Sequence, residues 1–366
     1  MNSLVRTVAL GATVAFATAC ASVGGGTGGT VTGGAQPATP GVIWPVKTRE
    51  HVDLWLHGFA MLQEDTTFVP FFKRGYSTNM IVLKNRANVV SQLDANRDKL
   101  RARLATNPQL INAQFVPLSF STWAELTSLV DLFVRADGNP RAASSQEQAA
   151  AIAFLAAYFP TGPDREWLRL FVQSLDDESS RFYHSYWTQQ ERERSNVLDL
   201  VDTQWQQTYR PRMQRFLNNT QQAQGSILLS LPLDGEGRSL TAGKQSNTIT
   251  VTFPERPSDA IEAIYVIAHE AVGGIASTSV SDNITPEQRR TGLGERYQSS
   301  AAVRAGALLI QRTSPEVLDG YMRYYLRSVN RPAGSNVQTT FTATFSIPDT
   351  IRDAIVRQLD VVLGGI

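Results

Sequence analysis

Between Asp164 and Asn218 apolar residues return every three, four or seven positions, and past Gln224 the period drops to two. Leu168, Phe171, Leu175, Phe182 and Tyr186 carry the first pattern, and Leu198, Val201, Trp205, Tyr209 and Phe216 extend it. Downstream, Ser226–Leu231 is a short apolar run, and Asn247–Phe253 alternates polar with apolar. A chain that changes period in this way must bury stripes of helices in one part and a strand face in another. The expected fold class is therefore α+β, predominantly α-helical, with a helical N-terminal half and a small β-sheet in the C-terminal half. Pro211 predicts a kink or restart of the helix near Arg210. Trp167, Trp187 and Trp205 stand at helical spacing, which favours packing in a core over lining a cofactor site.

Further helices follow from the same spacing. Val52, Trp55, Phe59 and Leu62 share one face of a helix over 47–63. Residues 65–76 hold Pro70 and Gly75 and read as a loop, and 86–104, 121–134 and 145–159 read as helices, with Ser144 or Ser145 capping the last and Glu147 favouring its dipole. After the sheet, Ser258 is placed to cap a helix running through His269, a polar loop passes Asp282, Asn283 and Pro286, and 294–310 is helical. Residues 314–330 and 348–363 close as helices, and 337–345, alternating in the manner of a strand, lies between them. Tyr321, Tyr324 and Tyr325 beside Arg323 and Arg327 fit a half-buried helix face.

The N-terminus carries a different message. Arg6 precedes an apolar run from Val8 to Ala17, and small residues lead into Cys20. One charge and about ten apolar residues describe a secretory signal, too short to span a bilayer. The stretch Ala17-Thr18-Ala19-Cys20 resembles the lipobox of bacterial lipoproteins, with Ala17 where that family most often has Leu. The resemblance implies lipidation of Cys20 and cleavage before it. Cys20 is the single cysteine of the chain, so no intrachain disulfide is possible. Gly, Thr and Pro dominate from there to about Gly41, a composition that forms a tether and no core. The expected organisation is a signal peptide (1–19), a tether (20–41), a helical region (42–225) and a second α+β region (226–366). The expected place is the bacterial cell envelope, at the outer membrane or the periplasmic face of the inner one, with the membrane as a partner through Cys20.

The formal net charge is +1 in 366 residues, which gives no electrostatic footprint for nucleic acid. The loop from Gly235 to Lys244 fails the spacing of phosphate-binding loops: Arg238 stands where a glycine would be needed and Gln245 follows Lys244. No nucleotide is expected, and a flexible turn between strands explains the loop.

Chemistry concentrates in one place. The apolar helix from Ala260 ends in His269-Glu270-Ala271-Val272-Gly273. In H-E-x-x-H two histidines one turn apart bind Zn²⁺ and the glutamate activates its water. Position 273 here is glycine, which offers no ligand atom. The order of strand, His-Glu helix, loop and Glu-bearing helix over 226–310 resembles the gluzincin branch of the zincin metallopeptidases. In that family a strand beside the cleft binds extended substrate, the first helix supplies two histidines and the base, and the second helix a glutamate ligand. The resemblance implies His269 as a metal ligand, Glu270 as the base and Glu295 as the third ligand. Catalytic zinc normally takes three protein donors, so the departure at Gly273 argues against the ion and for a pseudoenzyme that binds a peptide or protein partner.

Two other readings stay open. His51, His57 or His184 would complete a zinc shell in an active peptide hydrolase, although their local sequence favours structural, hydrogen-bonded rings. Otherwise His269 is a core histidine paired with Glu262 or Glu295, in a helical binding or scaffolding lipoprotein unrelated to peptidases.

Overall fold

A computed structural model describes residues 43–364 apart from 64, 66 and 242–245. Cys20 and the segments expected to be signal and tether lie outside the described residues.

The sheet is the frame on which both halves are hung. Strand β1 (Val46–Lys47) opens the described chain and is followed by α1 (Glu50–Leu62), α2 (Tyr76–Arg86), α3 (Gln92–Thr106), α4 (Trp123–Arg135), α5 (Gln146–Tyr158) and α6 (Gly162–Glu178). α7 (His184–Glu193), α8 (Ser195–Gln204) and α9 (Arg210–Asn219) then lead to β2 (Gly225–Ser230), β3 (Arg238–Thr241) and β4 (Asn247–Thr252). The strands form one mixed sheet in the order β1-β2-β4-β3. β1 and β2, and β2 and β4, are parallel, whereas β3 runs antiparallel to β4 and ends the sheet.

Alternation along β2 assigns the two faces. Ile227, Leu229 and Leu231 enter a core shared with Ile249, Val251 and Phe253 of the β4 strand and its end. Leu228 points the other way, into a core built from the aromatic stripes of α1 and α6. There Trp55, Phe59, Trp167 and Phe171 pack ring on ring, with Trp167 and Phe171 stacked at 4.8 Å. Gly58 is needed where α1 meets α6, because a Cβ there would come within 2.8 Å of Phe171 and Leu175.

The remaining helices cover the first face. These are α10 (Ile261–Ala271), α11 (Gly273–Asn283), α12 (Pro286–Arg290), α13 (Leu293–Thr313), α14 (Leu318–Ser328), α15 (Val337–Thr344) and α16 (Asp349–Leu363). α10 is apolar nearly all round, as a helix enclosed on several sides must be, and only Ile261, Glu262 and Glu270 escape full burial. The axis bends by 42° between the segment ending at Ala271 and α11.

The expected class, predominantly helical α+β with one small sheet, is what the described residues form. Several local expectations need correction. Residues 337–345 are helical as α15: Val337, Phe341 and Phe345 also recur at four-residue spacing and are buried together, and Asn336 caps the helix by accepting from Thr339 N–H. Tertiary burial of that stripe outweighs the strand preference of the threonines. α2 was hidden because its first residues follow a glycine-proline loop, and 87–91 interrupts the helix expected over 86–104. Ser258 lies in a short 3₁₀ turn and bonds to Asp259, so it does not cap α10. Asp282 and Asn283 belong to α11. The irregularity expected at Pro211 appears just upstream as a π turn, Trp205–Tyr209, which absorbs the missing proline N–H. Ser145 does cap α5, accepting from Gln148 N–H.

Candidate functional site

A cleft of about 1090 Å³ opens beside β3, walled by the end of α10, the first turns of α13 and the loop between β2 and β3. His269, Glu270, Gly273 and Glu295 all line it. Sequence reasoning missed Glu236, Arg238 and Ser299, which line it too.

His269 is fixed from three directions. Its Nδ1 is 3.1 Å from Glu270 Oε1, and an ionised carboxylate only accepts, so Nδ1 carries the proton. Tyr325 of α14 stacks on the imidazole at 5.4 Å and 24°. On the α13 side Gly306 lets the helices close, since a Cβ there would sit 3.4 Å from His269 Cα and collide with the Tyr321 hydroxyl. With Nδ1 committed, Nε2 is the ring's acceptor whenever the imidazole is neutral. That nitrogen is buried and has no hydrogen-bond partner among the described residues, in a residue only 4% exposed. An unsatisfied buried polar atom costs roughly 1–3 kcal/mol, and this one belongs to a residue that lines the cleft.

The loop from Asp234 to Gly237 is held residue by residue over the end of α10. Tyr324 donates to Asp234 O (3.2 Å), Tyr325 to Gly235 O (3.1 Å), Glu236 N–H to Pro70 O (3.0 Å), and Gly237 N–H to Glu270 Oε1 (3.0 Å). A side chain at 237 would strike the Thr250 carbonyl and Glu270 Cγ, so glycine is required there. The three tyrosines of α14 are buried, and two of them hold this loop.

Electrostatics divides the two loop-side carboxylates. Burial pushes Glu236 up, with Glu270 adding to the rise and Arg238 and His269 opposing it. Ser299 Oγ donates to Glu236 at 3.1 Å. Burial would also raise Glu270, but the hydrogen bond and charge of His269, the Arg238 charge and the Gly237 N–H hold it below the usual carboxylate range. Arg238 lies 3.5 Å above the Phe71 ring and reaches Gln114 at 3.1 Å, so it is itself anchored.

The other histidines have partners of their own. His51 Nε2 donates to Phe120 O at 3.0 Å. His57 meets Glu178 and Tyr76, each at 3.1 Å. His184 pairs with Glu50 at 2.8 Å but is 64% exposed at the side chain, more open than the half-buried ring its sequence suggests. Glu262, the other partner considered for His269, pairs with Arg327.

The residues present do not make a three-donor zinc centre. Position 273 has no side chain, and a Cβ there would meet nothing within 4 Å. Glu270 is engaged by Gly237 and His269, and Glu236 by Ser299. Among the described residues no group of three or more His, Cys, Asp or Glu is arranged to hold a metal. What remains is a polar cleft with one imidazole acceptor, anchored carboxylates and an edge strand.

Glu236 and Ser299 had readable signals. Glu236 sits between two glycines just before an alternating segment, and Ser299 follows Glu295 by one helical turn. No family model, curated protein or solved structure matches the chain.

Proposed function

We propose that this protein holds an extended peptide in the cleft beside β3 without cutting it, as a zincin-like pseudoenzyme tethered to the bacterial envelope through a lipidated Cys20. The observation that carries the reading is the position of β3: it ends the sheet, runs antiparallel to its neighbour, and contributes Arg238 and Ser239 to the cleft wall. An edge strand offers main-chain donors and acceptors that an added strand satisfies, and the cleft beyond it supplies places for side chains. The free Nε2 of His269 then accepts a hydrogen bond from the bound peptide, replacing the metal contact that the second histidine of a gluzincin would support.

No hydrolytic step follows from these residues. Glu270, the expected base, is spent on positioning: its carboxylate fixes the His269 tautomer and the Gly237 backbone.

The test is binding of a positional-scanning library of short synthetic peptides to the full chain and to Gly273→Trp. Open space around position 273 lets an indole enter the cleft without displacing protein atoms near the backbone. Peptides should bind the parent chain uncleaved, with or without added zinc, and the tryptophan should abolish binding while leaving Tm unchanged. Equal binding to both chains would overturn the cleft as the site, and zinc-dependent cleavage would overturn the pseudoenzyme.

A further inference from the structure

A second cavity, of about 540 Å³, adjoins the cleft and shares Phe68 and Arg296 with it. Its other walls are Arg331 and Pro332 after α14 and Thr339, Thr340 and Thr344 of α15. Among the described residues its lining contains two guanidinium groups and no carboxylate. The cleft proper has the opposite balance, with Glu236, Glu270 and Glu295 against Arg238 and the shared Arg296.

The two arginines differ from those that are engaged by the protein itself. Arg103, Arg194, Arg312 and Arg327 each reach a carboxylate or a carbonyl. Neither Arg296 nor Arg331 has a side-chain hydrogen bond or ion pair among the described residues. Among the described residues Arg296 is steadied by the Phe68 ring, with its guanidinium 5.6 Å from the centroid. Phe68 in turn packs on Phe345 at 5.5 Å, which ties the platform to the helix α15 that lines the same cavity.

We propose that this annex captures the C-terminal carboxylate of the peptide held along β3, so that the site reads a free chain end and not an internal segment. The inference rests on the peptide reading above. A planar guanidinium matches a carboxylate in fork geometry, and threonine hydroxyls add neutral donors beside it. Because Arg296 belongs to both cavities, a ligand lying against β3 reaches the annex without leaving protein surface. The change of sign along the groove favours a ligand with the opposite polarity: cationic or amide groups over the three glutamates, a carboxylate over the two arginines.

The experiment compares short peptides with free C-terminal carboxylates against the same peptides amidated, on the full chain and on the double variant Arg296→Gln/Arg331→Gln. The parent chain should prefer the free acids by about tenfold or more, as expected for charge-assisted hydrogen bonds. The double variant should lose that preference and keep the affinity for amides. Equal affinity of the parent chain for acids and amides overturns the proposal while leaving peptide binding intact, and so does an equal loss for both forms in the variant. Failure of both forms to bind the parent chain overturns the peptide reading and this inference with it. Both arginines are exposed, and unpaired among the described residues, so an unchanged Tm in the double variant separates lost recognition from lost folding.

Discussion

Two of the three histidine–glutamate pairs among the described residues are buried, and they differ in what the second ring nitrogen finds. In the helical half His57 and Glu178 are both fully buried, His57 Nδ1 meets Tyr76, and the second Glu178 oxygen accepts from Lys84 at 2.5 Å and from Ser91. Lys84 also reaches Asp94 at 2.6 Å. The side-chain nitrogens of His57 and Lys84 and both oxygens of Glu178 are answered from within the protein. At the cleft, Glu270 answers one nitrogen of His269 and no described residue answers the other. The same two side chains thus serve as a structural lock in one place and as an incomplete, cleft-lining arrangement in the other. Saturation of the polar atoms distinguishes them, where residue type does not.

The comparison breaks first where the lock is cut. Glu178→Ala leaves a buried lysine and histidine without their carboxylate, and should cost about 3–5 kcal/mol in denaturant unfolding. A loss under about 1 kcal/mol would mean that the cluster is not the lock described. Burial alone would raise Glu178, yet the hydrogen bond and charge of His57, with Lys84, hold it at about 2. Its folded value lies below the unfolded one, so its contribution is complete above about pH 4.3 and fades as pH falls toward 2.

Asp53 gives the opposite sign. Burial pushes its carboxyl up to about 7, against hydrogen bonds from Ser230, Trp187 and Leu231 N–H. The folded state therefore keeps a proton that the unfolded chain gives up near pH 4, and stability falls as pH rises from there through about 7. Asp53→Asn copies the protonated form, with its amide placed to donate to Ser230. The variant should flatten that fall, a difference on the order of a few kcal/mol between the ends of the window. Parallel pH profiles of unfolding midpoint for both chains would contradict the assignment.

At the cleft the expected stability effects are smaller. Glu270→Gln keeps one acceptor for two donors and should cost about 1–2 kcal/mol, with peptide affinity reduced because the His269 tautomer is no longer fixed. A variant with unchanged affinity would make the pair structural, like its counterpart. Least of all should Arg169→Ala matter: its bond to Glu166 lies on an open helix face, and the change in unfolding midpoint should correspond to within about 0.5 kcal/mol.

Much of the fold is legible in the sequence because burial is periodic. Leu168, Phe171 and Leu175 announce α6, and Ile249, Val251 and Phe253 announce β4, since each pattern matches one buried face. β3 carries a single apolar residue, Leu240, and takes its strand form from pairing with β4, so no local pattern marks it. Residues 337–345 satisfy both periods at once, and the neighbours Phe68, Tyr321 and Tyr325 decide for helix. At the site, the His269-Glu270 dipeptide stands out by its chemistry. Glu236, Ser299 and Tyr325 reach the cleft from elements 33, 30 and 56 residues away in sequence from His269, and only the fold brings them there.

The most direct measurement follows the ring nitrogens themselves, by ¹⁵N NMR of the four imidazoles during titration with a peptide selected by the library. The account predicts that the His269 Nε2 resonance moves to saturation with the binding curve, that the His57 signals stay in place, and that Gly273→Trp removes the change. A peptide that saturates the protein while the His269 resonances remain where they were would contradict it.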